Sequence, residues 1–449
     1  MMIAINIILG LIGLGIIVFF HELGHFVAAR LVGVKVEAFS IGWGNPILKK
    51  KIGMVEYRLG MFPIGGYCKM HGENDYNIAW ENMRNGIKPE KGTYLAASPA
   101  ARILISFGGP FFNLLFAILL LSILWGVGFQ INTVGNRIIL ASEISDQTFP
   151  ADISGFQTGD RIIDINGRKI SFYHEIQENI ALNPERLLPV IVERDGKIVQ
   201  LEVTPSLDKS SGAGRIGIFF WIDPVIESVK EGSPASLAGL RPQDIIISVN
   251  DQPVRNTEDF RRIRSGITGD FTVEYERNNV RGKAEFNIDN LESELGFSWE
   301  TIRYRTPRLS VPVAIVKGAR ESYKTLTVSI TSLRLLFKGI DLTQAVSGPI
   351  RITYMMGDMA TQGFGQGVGI GLQSIINFLA LISIALCVMN MLPLPILDGG
   401  MIILFFVEMI RGKPIPPKAV SVFNACGMAI IFSLMILAVF GDIMFFARR

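Results

Sequence analysis

The sequence contains little cysteine, and this excludes several classes of site. Its three cysteines, Cys68, Cys387 and Cys426, are scattered and form no C-x-x-C pair. An odd number at such spacings implies no disulfide framework, and Cys387 and Cys426 lie in apolar runs where they fit small core residues. The sequence also lacks a basic stripe, and its formal net charge is only +3. We therefore expect no nucleic-acid partner.

Charged residues are scarce as well. They make up 18% of the 449 residues, against 49% hydrophobic residues, and the mean hydropathy is +0.37. This balance is too apolar for a soluble enzyme and too charged for a bundle made only of membrane helices. At this length we expect roughly two to four domains.

Four apolar runs are long enough to cross a membrane as helices. They cover Ile3–Ala29, Ile103–Phe129, Leu372–Leu392 and Val420–Phe446. The first run has no basic segment before it and no A-x-A-like cleavage site, so we expect a retained span and not a removed signal peptide. Four spans place both termini on the same side of the membrane.

Lysine and arginine near the ends of these runs predict the orientation. The loop from Arg30 to Arg102 is rich in both, and the loop before the last run contains Arg411, Lys413 and Lys418. Since such loops face the cytosol, we expect both termini and the long segment between the second and third runs to be extracytoplasmic. Arg448 and Arg449 favour the opposite orientation, but two residues at a chain end are weaker evidence than two basic loops.

Ionisable residues in a membrane-spanning helix indicate function, and the first run contains three. They form the motif His21-Glu22-Leu23-Gly24-His25. On a helix, two histidines four residues apart project from one face, and the H-E-x-x-H spacing directs both toward one Zn²⁺, with Glu22 as general base. The alternative is a chance match in a polar-lined bundle. His25 lies only about 8 Å of helix rise from Arg30, so we expect the metal in the cytosolic half of the membrane.

A catalytic zinc needs a third protein ligand, and Asp398 is the candidate. It lies in the stretch Asn390–Gly400, where two prolines interrupt the apolar run and Gly399-Gly400 follow the acid. Irregular backbone at membrane depth is tolerated where it lines a cavity. The alternative role for Asp398 is a cap on the helix that restarts at Met401. We favour the ligand, because the histidine pair needs a partner.

An internal repeat lies between the second and third runs. Ser154–Gly167 matches Ala238–Asp251, and each copy has a turn, an aspartate, an alternating strand and an Asn-led turn. The pattern resembles the core of a PDZ domain, which binds an extended peptide at a sheet edge; a chance repeat of turn residues is the alternative. We expect one domain at 131–212 and a second at 213–291, with Ile216-Gly217-Ile218 as the peptide-binding loop of the second.

The stretch Leu309–Ile352 has an amphipathic pattern. Val313, Val316 and Leu326 alternate with Lys317 and Lys324. Such a helix lies on the outer membrane surface or packs against the PDZ-like domains, and the pattern fits both alternatives.

Together, HELGH in the first run and N-x-x-P-x-P-x-L-D-G in the third resemble the site-2 protease family of intramembrane zinc metalloproteases. The resemblance implies one Zn²⁺ per chain on His21, His25 and Asp398, with Glu22 catalytic. Asn390 matches the family residue that engages the substrate backbone. Gly109–Asn113 resembles the family's G-x-x-x-N motif, where Asn113 either contacts substrate or packs helices together.

The stretch Met54–Met70, which includes Tyr67, matches the family's membrane re-entrant β element, whose strand edge would hold an unwound substrate. The expected fold is therefore a polytopic α-helical membrane protein with four transmembrane helices, this β element and two extracytoplasmic PDZ-like domains in tandem. The expected segments are 1–30, 31–101, 102–129, 131–212, 213–291, 292–370, 371–410 and 411–449, where 292–370 is a linker with the amphipathic helix.

The resemblance also implies a function. Members of the family cut single-span membrane proteins in the bacterial inner membrane, including an anti-sigma factor already trimmed by an upstream site-1-type protease, and clear leftover signal peptides. The PDZ pair either recruits a peptide tail or excludes bulky outer domains, and we favour the gate because size exclusion needs no matching tail. The alternatives are a membrane-anchored PDZ adaptor with an inactive metal site, and a transporter, which the lack of inverted repeats disfavours.

Overall fold

The computed structural model describes residues 2–73, 90–145, 147–208, 212–287, 295–336, 348–365 and 367–447. The chain forms two compact units. The first contains Met1–Phe129 and Thr306–Arg449, and the second contains Gln130–Arg305. The second unit is therefore an insertion in the sequence of the first.

The helices, in chain order, are α1 (Met2–Leu31), α2 (Pro99–Val127), α3 (Pro150–Ile153), α4 (Tyr173–Ala181), α5 (Pro234–Leu237), α6 (Thr257–Ser265), α7 (Val311–Leu336), α8 (Pro349–Gly365), α9 (Val368–Asn390), α10 (Asp398–Arg411) and α11 (Pro417–Ala447). The strands are β1 (Val36–Ile52), β2 (Val55–Met70), β3 (Gln130–Thr133), β4 (Ile138–Leu140), β5 (Arg161–Ile165), β6 (Arg168–Lys169), β7 (Leu188–Arg194), β8 (Lys197–Val203), β9 (Ser206–Leu207), β10 (Gly214–Arg215), β11 (Ile218–Phe220), β12 (Ile226–Val229), β13 (Ile245–Val249), β14 (Gln252–Pro253), β15 (Phe271–Arg277), β16 (Val280–Phe286), β17 (Phe297–Trp299) and β18 (Ile302–Arg305).

Within the described residues, four helices are long and apolar enough to cross a membrane. They contain the segments Asn6–Leu31, Pro99–Val127, Val368–Asn390 and Pro417–Phe445, in α1, α2, α9 and α11. Each coincides with one of the four predicted apolar runs. The prediction of helices of spanning length is therefore confirmed.

Glycines allow α1 and α2 to touch backbone to backbone. A Cβ added to Gly24 would lie 2.1 Å from the carbonyl oxygen of Gly108, and one added to Gly108 would lie 2.5 Å from that of Gly24. Small residues at a crossing permit this approach between apolar helices. The H-E-x-x-H turn of α1 therefore lies directly against α2.

The helix α8 is held at two places. The carboxylate of Asp442, in α11, accepts hydrogen bonds from the backbone N–H groups of Gly348, Ile350 and Arg351 at the start of α8. At the other contact, the hydroxyl of Thr361 donates to the side-chain oxygen of Asn6 in α1 at 2.7 Å. The bonds to Asp442 satisfy N–H groups that a helix start leaves unpaired, whereas the bond from Thr361 joins α8 to α1.

The amphipathic helix α7 runs antiparallel along α2. Ala314 is near Gly126, and a Cβ on Gly318 would lie 2.4 Å from the Oγ of Ser122. The ammonium group of Lys317 lies 4.7 Å from the centre of the Trp125 ring. These contacts are all with a helix of the first unit, and the two predicted positions, flat on the membrane surface or against the PDZ-like domains, stay predictions. Residues 337–347 of the predicted stretch lie outside the described part of the chain.

The predicted β element forms the strand β2, paired with β1 in an antiparallel hairpin. Its base is buried against α1, with Phe39, Val55 and Cys68 in a shared apolar core. Farther along the hairpin, Trp43 and Phe62 are each 58% exposed, which is unusual for large apolar side chains.

The sequence repeat folds into two similar domains, the first repeat domain (134–220) and the second repeat domain (224–299). Their sheets have the orders β6-β5-β7-β8 and β14-β13-β15-β16, so corresponding strands occupy corresponding places. A buried aspartate is paired with an arginine in each: Arg194 donates to Asp160, and Arg277 to Asp244. The same arginines also donate to the carbonyl oxygens of Gly155 and Gly239.

The predicted boundary between these domains was wrong. The strand β11, which begins at Ile218, pairs with β4, and Ile216 is only 2% exposed in the core of the first repeat domain. Ile216-Gly217-Ile218 therefore belongs to the first domain and not to the second. The second domain also extends beyond 291, because β17 pairs with β12. These pairings join distant segments, which local turn patterns cannot reveal.

Candidate metal centre

Two helices bring the three predicted ligands together. On α1, the Nε2 atoms of His21 and His25 are 3.2 Å apart. On α10, Asp398 places one carboxylate oxygen 3.3 Å from the Nε2 of His21 and the other 3.5 Å from the Nε2 of His25. Because Leu397 is the N-cap of α10 and Asp398 its first residue, Asp398 does not act as the cap at Met401.

The three side chains fit a zinc ion. Tetrahedral coordination with Zn–N and Zn–O bonds of usual length separates neighbouring ligand atoms by about 3.3 to 3.6 Å. The observed separations of 3.3 and 3.5 Å lie in that range, and the third, 3.2 Å, lies just below it. Two imidazoles and one carboxylate are also a common donor set for catalytic zinc, since they leave a fourth position for water.

Two glycines shape the loop that presents Asp398. A Cβ on Gly399 would lie 2.4 Å from the carbonyl oxygen of Met391, and one on Gly400 would lie 2.1 Å from that of Leu394. The loop between α9 and α10 therefore folds directly onto the start of α10, where any side chain would displace it. This explains the Gly-Gly pair that follows the acid.

Gly109 in α2 leaves space for the imidazoles. A Cβ at this position would lie 2.5 Å from the Nε2 of His25 and 2.6 Å from the Cε1 of His21. In the sequence, Gly109 stands out only as the first residue of the G-x-x-x-N motif. Its importance depends on the crossing of α1 and α2, for which the sequence carries no direct signal.

A backbone carbonyl orients His25. The Nδ1 atom of this residue is 2.8 Å from the carbonyl oxygen of Ile105 in α2. A carbonyl oxygen only accepts, so Nδ1 carries the hydrogen and Nε2 keeps a free lone pair for a metal. Ile105 could not be identified from the sequence, because it contributes only its backbone carbonyl, which every residue has.

Glu22 lies beside the hairpin strand β2. A Cβ on Gly66 would be 3.1 Å from the Cγ of Glu22, and the carboxylate faces the backbone N–H of Cys68. In the described part of the chain, the segment 66–70 of β2 pairs with 36–41 of β1 along one edge, and no strand pairs with its other edge. The predicted strand thus adjoins the predicted general base.

The other predicted residues of the first unit, Asn390, Asn113 and Tyr67, differ in how near they lie to the three ligands. The amide nitrogen of Asn390 is 3.4 Å from the Nε2 of His21, at the edge of the cluster. Asn113 is completely buried, with its amide 3.2 Å from the Nδ1 of His21. Tyr67 faces the hairpin, where its hydroxyl accepts a hydrogen bond from Arg58 at 3.0 Å and its ring contacts Trp43.

Ile216, Gly217 and Ile218 line an apolar groove in the first repeat domain. The groove has a volume of about 530 Å³ and lies between α4 and the segment 213–220. The hydroxyl of Tyr173, in α4, donates to the carbonyl oxygen of Ile218 at 2.8 Å and connects the two walls. A groove between a helix and a strand has the form that accepts an extended peptide.

Comparison with known proteins gives consistent matches over nearly the whole chain. The family described as Peptidase family M50 matches residues 9–434. A Treponema pallidum protein named "Putative zinc metalloprotease" is 34% identical, with 98% of this chain and 99% of the relative covered. A Borreliella burgdorferi protein of the same name is 28% identical, with coverage of 97% and 98%. The "Regulator of sigma E protease" of Haemophilus influenzae is 29% identical, with coverage of 96% and 97%.

Proposed function

Because this chain belongs to peptidase family M50, the site-2 protease family, and is a zinc metalloprotease, we propose that it hydrolyses peptide bonds within the transmembrane segments of single-span membrane proteins. The observation that carries the proposal is the position of the ligand cluster. His21 and His25 lie within α1, a helix long and apolar enough to cross a membrane. A metal site within a membrane-spanning helix can act on peptide bonds inside the membrane, which soluble proteases cannot reach.

The roles we propose for the site follow from its geometry. His21, His25 and Asp398 would hold a Zn²⁺ ion, which would supply Lewis-acid activation at the scissile peptide bond. Glu22 accepts a proton from the water and donates it to the leaving amine. The backbone N–H of Cys68, which faces the Glu22 carboxylate, helps to fix its direction.

Substrate presentation is the second part of the proposal. A transmembrane helix keeps its carbonyl groups in internal hydrogen bonds, so the scissile region must unwind before water can attack. The open edge of β2 beside Glu22 replaces those bonds by strand addition. The amide of Asn390 both donates and accepts, which suits it to hold the other side of the unwound chain.

The third part concerns the pathway and the location. The regulator of sigma E protease among the relatives supports a substrate of the anti-sigma-factor type, cut after an upstream protease has removed its outer domain, and leftover signal peptides are a second class. We place the chain in the bacterial inner membrane, with its basic loops in the cytosol and both termini outside. The inserted unit Gln130–Arg305 contains the two PDZ-like domains, and we propose that it limits access by bulky substrates, with the groove at Ile216–Ile218 modulating this gate.

The test is turnover of a purified single-span substrate by the full chain in lipid. We expect cleavage inside the substrate's span, located by mass spectrometry. Glu22→Gln should abolish cleavage and keep about one zinc per chain, because the amide has the same shape but cannot take a proton. His21→Ala should lose the zinc as well. Cleavage by Glu22→Gln at near the wild-type rate contradicts the catalytic assignment, and zinc binding with no turnover by the wild type favours the adaptor.

A further inference from the structure

Asn113 presents an unusual hydrogen-bonding problem beside the metal centre. Its side chain is completely buried on α2, and its Oδ1 atom has no hydrogen-bond partner among the described residues. Its Nδ2 atom lies 3.2 Å from the Nδ1 of His21. A buried amide oxygen without a partner is costly, and in a native protein it calls for an explanation.

The tautomer of His21 supplies the explanation. The Nε2 of His21 points at the cluster, 3.3 Å from Asp398 and 3.2 Å from the Nε2 of His25. A neutral imidazole that offers Nε2 to a metal carries its hydrogen on Nδ1. Nδ1 is then a donor and faces the NH₂ group of Asn113, which is a donor too. Two donors cannot bond to each other.

Rotation of the Asn113 amide by half a turn exchanges its oxygen and nitrogen, which removes the contact between two donors and gives the oxygen a donor. The oxygen and nitrogen of an amide are assigned from the hydrogen bonds around them, because their shapes are nearly the same. After the rotation, Oδ1 accepts the Nδ1–H of His21, and the buried oxygen gains the partner that it lacks. The resulting arrangement matches that of His25, whose Nδ1–H donates to the carbonyl oxygen of Ile105.

We propose that Asn113 is a positioning residue that accepts a hydrogen bond from the Nδ1–H of His21 and so fixes the tautomer and ring orientation of this ligand. The inference rests on the zinc site of the proposed function. Complete burial leaves Asn113 without a surface for substrate, which separates this role from substrate contact. A ligand's outer hydrogen-bond partner typically contributes 10- to 100-fold, in round numbers, to metal affinity.

The test uses two substitutions of Asn113 in the full chain. Asn113→Leu has similar size but no acceptor, whereas Asn113→Asp keeps an acceptor oxygen in either orientation of the side chain. The control is Ser383→Ala in α9. The Ser383 hydroxyl donates to the backbone carbonyl of Asn113 at 2.8 Å, so its loss disturbs the same helix contact without touching His21. Zinc affinity is measured by competition with a chromophoric chelator, together with kcat and KM.

We expect Asn113→Leu to bind zinc about 10 to 100 times more weakly and to regain kcat, with KM little changed, when excess zinc is supplied. Asn113→Asp and Ser383→Ala should keep zinc within about threefold of the wild type, a difference below 1 kcal/mol. Wild-type zinc affinity in Asn113→Leu overturns the inference. Equal weakening by Ser383→Ala also overturns it, because helix packing then explains the effect.

Asn113→Asp keeps the inference testable if Asn113→Leu does not fold. Loss of zinc from a folded Asn113→Asp overturns the role of the acceptor. His21→Ala distinguishes a failure of the positioning role of Asn113 from a failure of the proposed zinc site. If His21→Ala loses zinc while Asn113→Leu keeps it, only the positioning role is wrong. If His21→Ala keeps zinc, the metal site itself is wrong.

Discussion

Arg102 and Glu408 form a buried, two-point ion pair between α2 and α10. The two guanidinium nitrogens lie 3.2 and 2.5 Å from the two carboxylate oxygens, and both residues are at most 5% exposed. The guanidinium also lies 4.7 Å from the centre of the Phe405 ring. Because α10 begins at Asp398 and α2 carries Gly109, this pair fixes two of the three helices that build the metal centre.

The ion pair predicts a non-additive double substitution. Arg102→Met should leave Glu408 buried without a partner and cost about 3–5 kcal/mol of stability. Adding Glu408→Met removes the unpaired charge, so the double variant should recover most of this loss. Thermal unfolding of the purified protein measures both, and zinc content reports the position of Asp398. A double variant as unstable as Arg102→Met contradicts the prediction.

Gly109 predicts a site-specific loss of metal. Gly109→Ala places a methyl group against both imidazoles, 2.5 Å from the Nε2 of His25. We expect zinc binding and cleavage to fall together, because the rings must turn away from Asp398. Gly126→Ala is the matched control on the same helix, since its Cβ would lie 3.8 Å from the nearest neighbour, Ala314. Equal zinc affinity in the two variants would show that the imidazoles adapt.

The strand β2 predicts a defect in cleavage without loss of zinc. Lys69→Pro removes a backbone donor that faces β1, since the N–H groups of its neighbours Cys68 and Met70 face Glu22 and Glu73. It should strongly reduce cleavage, because the strand that forms the open edge loses a ladder bond and is displaced from Glu22. Lys69→Ala keeps the donor and is the control. Its ammonium group lies 2.7 Å from Glu37, and this hydrogen bond, with a second from His71, lowers the pKa of Glu37. Both partners are substantially exposed, so Lys69→Ala should change stability little.

If Lys69→Pro retains zinc and cleaves at the wild-type rate, the substrate does not bind along β2. A decrease of similar size in Lys69→Ala would assign the effect to the ion pair with Glu37 instead of the strand edge.

The inserted unit predicts a change in substrate size limits. The backbone N–H of Thr306 donates to the carbonyl oxygen of Phe129 at 2.9 Å, so the ends of the first unit meet where the insertion leaves and returns. Deletion of Gln130–Arg305 behind a short glycine linker should therefore leave zinc binding intact. If the unit is a gate, the deletion variant should cut a substrate that still carries its outer domain, whereas the wild type cuts only the trimmed form.

Deletion of only 131–291 is a poorer test, because it leaves β17 and β18 without the strands that they pair with. Refusal of the intact substrate by both proteins, with the trimmed form still cut, contradicts the gate. Slower cleavage of the trimmed form by the deletion variant favours a recruiting role.

The sequence by itself determined the features that depend on local geometry. Apolar runs of spanning length became helices, because an apolar segment satisfies its backbone groups internally. The spacing of His21 and His25 placed both on one face of α1, because the helical period requires it. The Asp-led repeat became two similar sheets, because each copy carries its own turn and strand pattern.

Tertiary structure alone decided what depends on contacts between distant segments. Ile216 joined the first repeat domain through the pairing of β11 with β4, and α7 packed along α2. The space kept by Gly109 and the carbonyl of Ile105 beside His25 exist only where α1 crosses α2. A sequence pattern specifies which face of a helix is apolar or polar, but the partner of that face is selected by packing of the whole chain.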